Sequence, residues 1–150
     1  MKKIVLVSFV TVFTSLMLQA QCPLEVGGKQ LNAGVGFSGW GVPLYVGLDY
    51  GLVEDITLGG KLSLTAHQGN DLIIGLAANG NYHFNTLLDI PKEWDFYAGL
   101  TCGYFAYSDF GLGLYAQIGG RYFFKNNLGL NLELGGGNIS GGTFGITYKF

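Results

Sequence analysis

An all-β fold, an eight-stranded antiparallel up-and-down transmembrane β-barrel, is predicted by three features of the sequence. Apolar residues recur with period two along most of the chain after residue 20, which is the pattern of strands with two unlike faces. These stretches number eight, run to about ten residues each and are joined by short turns, the length a tilted strand needs to cross a bilayer. Charged residues make up only 12% of the 150 residues, against the roughly 25–35% that a water-facing surface carries.

The rest of the composition narrows the class. Apolar residues at 49%, spread along the chain, exclude disorder. The 26 glycines have no period of three, which excludes collagen. The start of the chain has the layout of a secretory signal peptide: Lys2 and Lys3, then a mostly apolar run from Ile4 to Leu18, then Ala20 at a cleavable junction. That run is too short for a membrane helix. Residues 1–20 therefore read as a leader and residues 21–150 as one barrel domain. Taking Lys2 and Lys3 from the eight basic residues leaves six against ten acidic ones, a formal charge of −4 that argues against nucleic acid as a partner.

Each strand follows from its alternation. The first sets Leu31, Ala33, Val35 and Phe37 on one face, and the second Val42, Leu44, Val46, Leu48 and Tyr50. After a turn at Val53 to Asp55, the third sets out Leu58, Gly60, Leu62, Leu64 and Ala66. The fourth runs from Leu72 to Phe84 through Ile74, Leu76, Ala78 and Tyr82. Asn85 to Glu93 is the longest connection and reads as a loop. The fifth strand carries Phe96, Ala98, Leu100, Cys102 and Tyr104, and the sixth Leu112, Leu114, Ala116, Ile118 and Tyr122. Lys125 to Asn127 turn the chain into the seventh, with Leu128, Leu130, Leu132 and Leu134. Phe144, Ile146, Tyr148 and Phe150 form the eighth.

The apolar face must point outward. The interior of eight strands is only wide enough to be filled by side chains, so ranks of Leu, Ile and Phe would overfill it. The opposite face is mostly Gly, Thr, Asn, Ser and Tyr, too poor in charge for a water-facing surface. Aromatics on the apolar face also gather at strand ends. Tyr50, Tyr82, Phe84, Phe96, Tyr122, Tyr148 and Phe150 lie at one level, and Phe37, Tyr104 and Phe144 nearer the other, as two interfacial belts require.

The sequence resembles the small OmpA/OmpX-type outer-membrane β-barrel proteins of diderm bacteria along its whole mature length. The most specific stretch is Thr143 to Phe150, a polar residue, Gly145 two on, then Tyr148 and Phe150 third-last and last, similar to the assembly signal of that group. Leu48 to Gly59 and Tyr97 to Tyr104 are similar to family hairpin and strand patterns. The resemblance implies residence in the bacterial outer membrane among its lipids, as a monomer, after handling by periplasmic chaperones and the barrel-assembly machinery. The outer connections, Gly39 to Gly41, His67 to Asp71, Ser108 to Phe110 and Gly136 to Gly142, are short.

Candidate chemistry is sparse. Gly34 to Gly39 spells GxGxxG, but Trp40 to Pro43 cannot open the helix a phosphate site needs. His67 and His83 fall at opposite ends of one hairpin, too far apart for one metal ion. His67 with Asp71 lies near rim hydroxyls (Ser38, Thr65, Ser108, Ser140) without a catalytic motif. No cofactor is expected. Lys61, Arg121 and Glu133 point into the lumen at middle depth, Asp49 and Lys149 lower down, and the strand pairing about Asn126 sets Arg121 opposite Asn131 and diagonal to Glu133. With Tyr45, Tyr97, Phe105, Tyr115 and Phe123 beside them, these charges form a polar plug. Cys102 lies about 15 Å up the wall from the end where Cys22 enters, beyond the roughly 7 Å a disulfide allows, so both thiols are expected free. The sequence thus indicates a non-enzymatic barrel contributing to envelope structure or surface interaction. The alternatives are a narrow porin-like channel and a lipid-modifying outer-membrane enzyme.

Overall fold

The computed structural model describes residues 24–39, 41–66, 72–107, 110–137 and 141–150. The leader, Cys22, Trp40, His67, Asp71, Ser108 and Ser140 lie outside the described residues. Eight antiparallel strands close into one barrel in chain order: β1 (Lys29–Ser38), β2 (Val42–Val53), β3 (Ile56–Ala66), β4 (Leu72–His83), β5 (Trp94–Tyr107), β6 (Phe110–Phe123), β7 (Leu128–Gly137) and β8 (Gly141–Lys149). Closure is made by β1 on β8, from Gln30 opposite Lys149 to Ser38 opposite Gly141. At the foot of that seam Phe150 N–H donates to Lys29 O (2.9 Å) and Lys29 N–H to Phe150 O (3.3 Å), so the start of β1 and the C-terminal residue sit at one end of the barrel. Closure pairs the backbone groups that an open sheet edge would leave bare in lipid.

The alternation read from the sequence is the alternation of burial. Leu44, Leu64, Leu76, Leu112, Leu132 and Ile146 are exposed on the outer wall, whereas Gln30, Asn32, Asp49, Thr57, Asn79, Thr101, Gln117 and Arg121 are buried inside. A soluble core inverts this order. Rings cluster on the outside near the chain ends: Tyr82 meets Phe84 edge-on (5.4 Å), Tyr148 stacks on Phe150 (6.4 Å), and Trp94 lies against Phe96 (5.8 Å) and Tyr122 (4.6 Å). Trp94 belongs to this belt because β5 starts two residues earlier than its clearest alternation.

The connection from Asn85 to Glu93, expected as plain loop, contains one helical turn, α1 (Asn85–Leu88). Asp89 ends it in the left-handed region (φ 53°), where a short polar side chain is tolerated. Inside, glycine makes room for rings. A side chain at Gly119 would overlap the Tyr97 ring, and one at Gly145 would overlap Ala33 O across the closing seam.

Candidate functional site: the charged lumen

The lumen is built in tiers. Lowest, near the chain ends, Thr57 on β3, His83 at the end of β4 and Asp95 at the start of β5 form a relay. The Thr57 hydroxyl lies 3.0 Å from His83 Nε2, and His83 Nδ1 lies 2.6 Å from Asp95 Oδ1. This is the connectivity of a nucleophile, base and acid triad. Each of the three is at most 1% exposed, so no substrate reaches the hydroxyl.

Arg121 on β6 forms the next tier. Its Nη1 donates to Asp95 Oδ2 and its Nη2 to Asp49 Oδ2, both at 2.8 Å. With the Gln30 amide oxygen turned toward the guanidinium, Nε at 3.0 Å and Nη2 at 3.2 Å also find an acceptor. The Tyr97 ring covers the guanidinium at 4.3 Å, a cation–π contact in a site where water does not compete. Asn32 and Asn79 donate to the two oxygens of Asp49, so that carboxylate is also fully engaged.

Above this tier Lys61 Nζ meets Glu133 Oε1 at 2.5 Å, and Tyr97 donates to Glu133 Oε2 at 3.1 Å. Tyr45 donates to Asn131 Oδ1 (2.7 Å) and its ring lies 5.5 Å from Lys61 Nζ. On the β4–β6 side, Thr101 donates to Gln117 (2.6 Å), which donates in turn to Asn81 (2.6 Å). Between the Arg121 and Lys61 tiers the lumen narrows to a cavity of about 20 Å³, room for about one water. Beyond Lys61 and Glu133 the lumen widens to a cavity of about 90 Å³ walled by Tyr45, Phe105 and Tyr115. Among the described residues one buried side-chain polar atom, Asn85 Oδ1, lacks a partner, and no group of three metal-binding side chains converges.

Lys61, Arg121 and Glu133 all stand in the lumen, and Arg121 is opposite Asn131 as the register predicts. The diagonal from Arg121 to Glu133 is not the contact made. Arg121 turns to Asp49 and Asp95, and Glu133 crosses the barrel to Lys61 on β3. Register reports neighbours along the sheet, whereas a lumen this narrow lets long side chains reach the opposite wall. Asp95 is not legible as a lumen residue when the fifth strand starts at Phe96, because the alternation then leaves it outside the strand. Carrying the alternation back two residues turns Asp95 inward and opposite Arg121, where the structure has it. His83, placed near the rim from the sequence, is sealed. Cys102 is a free thiol on the outer wall. Gly145 faces inward against β1, while Tyr148 and Phe150 face outward in the belt.

No protein-family model matches the chain, and no curated protein matches it. Solved structures do. A de novo designed transmembrane β-barrel aligns with 20% identity over 84% of this chain and 98% of its own, with a TM-score of 0.71. The N-terminal β-barrel domain of Pseudomonas aeruginosa OprF aligns with 13% identity over 83% and 98%, TM-score 0.65. The Yersinia pestis outer membrane protein Ail, determined in a phospholipid bilayer nanodisc, aligns with 12% identity over 83% and 99%, TM-score 0.57. At these identities the likeness is one of architecture, and the architecture is that of the small eight-stranded outer-membrane β-barrels.

Proposed function

We propose that the chain is a monomeric, non-enzymatic barrel of the bacterial outer membrane, delivered by a leader at residues 1–20, and that its lumen is closed by side chains. The observation that carries the reading is the pair of stacked ionic tiers, Arg121 between Asp49 and Asp95 and Lys61 on Glu133, with room for only about one water between them. Buried charges paired in this way hold their positions, because moving one strands its partners. A barrel closed in this way serves the envelope as a structural element and presents its outer rim for contacts. Sealing of Thr57, His83 and Asp95 supports a structural role for the relay rather than turnover. Gly145, Tyr148 and Phe150 act as the signal read by the assembly machinery, with outer-membrane lipids as the permanent surroundings.

Planar-bilayer recording tests the closed lumen. The expected result is no steady conductance from the wild-type chain. Ion-selective channels that change on Glu133→Gln would replace the plug with a pore.

A further inference from the structure

On the outer wall β6 carries Gly120 where its neighbours carry large side chains, and a groove of about 500 Å³ runs over it. Phe96 and Leu132, the partners of Gly120 on β5 and β7, form its sides, and Phe144 lies farther up. Trp94 and Tyr122, whose rings meet at 4.6 Å, close its lower end in the aromatic belt. We propose that this groove is a binding site for one phospholipid from the leaflet at the chain-end side, its acyl chain lying over Gly120 and its phosphate beside the β6–β7 turn. The inference rests on the bilayer reading above.

Three observations favour this occupant over a second copy of the chain. The groove begins at the level where interfacial rings sit and extends up the hydrophobic wall, the path of an acyl chain and not of a flat contact between barrels. Its lining is almost wholly apolar, so it offers nothing polar to orient a protein partner. The charge at its lower end also opposes a phosphate less than the far side of the barrel does. The β6–β7 turn carries Lys125 with Asn126 and Asn127, and the adjoining β4–β5 connection carries Asp89, Lys92 and Glu93, so the groove side is formally neutral. The β2–β3 turn, on the far side of the barrel, carries Glu54 and Asp55 instead. An anionic headgroup is therefore accepted on the groove side, with Lys125 beside it, and disfavoured on the other.

The experiment is native mass spectrometry of the purified chain, released from micelles doped with palmitoyl-oleoyl phosphatidylglycerol. The wild type is expected to keep one phospholipid per barrel. Gly120→Leu fills the groove and should lower retention about fivefold or more, since a Cβ there meets no backbone closer than Asp95 O at 3.8 Å and its tightest neighbour is the Phe96 ring at 3.2 Å. Leu132→Trp, which fills the groove from β7, should do the same, so that a folding defect in one variant does not decide the matter. Gly60→Leu, on β3 across the barrel, should leave retention unchanged. Equal retention by wild type, Gly120→Leu and Leu132→Trp overturns the site, and so does a barrel dimer that Gly120→Leu dissociates. Vesicle insertion of the same samples separates the two readings: a chain that does not insert fails as a membrane barrel, whereas one that inserts and keeps no lipid fails only here.

Discussion

Arg121 is held by two carboxylates and an amide and is buried in the lumen, so its worth to the fold is set by what its removal strands. Arg121→Ala leaves Asp49 and Asp95 facing each other without a cation, and breaking a buried pair in this way costs about 3–5 kcal/mol. Urea unfolding in lipid vesicles should show that loss. Arg121→Lys should recover only part of it, because one ammonium cannot serve both carboxylates and Gln30 in the planar fork a guanidinium offers. Neutralising the acids together, Asp49→Asn with Asp95→Asn in the Ala background, should return most of the stability. An Ala variant as stable as wild type would show that the tier does not hold the barrel together.

Among the elements, β6 and β8 show most plainly what the sequence could and could not disclose. Their period-two pattern was legible because one face meets lipid and the other a polar lumen, so every second residue reports its side. The partners across the lumen were not legible, because alternation gives direction but not reach, as Lys61 and Glu133 show by meeting from strands on opposite walls. Gly119 records such a hidden contact. On β6 it reads as one more inward glycine, yet a methyl group there would overlap the Tyr97 ring that covers Arg121. Gly119→Ala should destabilise the barrel by about 1–3 kcal/mol through overpacking, and Tyr97→Ala in the same chain should relieve the clash. On β8, Phe150 closes the seam through its backbone while its ring stands exposed in the belt. Phe150→Ala keeps the two seam bonds and removes only the ring. It should therefore lower the amount of protein reaching the outer membrane, measured by fractionation, while the inserted fraction unfolds as wild type does. Equal delivery with weakened stability would assign the ring to packing.

For the whole molecule, the decisive property is that its apolar surface is on the outside, and two leucines of nearly equal exposure separate a bilayer from water as the surrounding medium. Leu100 lies in the middle of β5 on the outer wall and is 61% exposed; Leu88 ends α1, beyond the strands, and is 63% exposed. In water, position along the barrel would be irrelevant: replacing either by Arg would exchange an exposed apolar side chain for an exposed charged one, with near-zero effect on folding in both cases. In a bilayer the two differ by depth. An arginine at mid-strand meets the hydrocarbon midplane at about 2–4 kcal/mol, whereas one at the rim reaches the headgroups at about 0–1 kcal/mol. Folding free energies measured by urea titration in vesicles should accordingly fall for Leu100→Arg and barely move for Leu88→Arg. The lumen offers the internal control, because it is shielded from the lipid in either medium and its ionic tiers remain paired in both variants. Equal, negligible costs at the two positions would mean that the outer wall does not meet lipid.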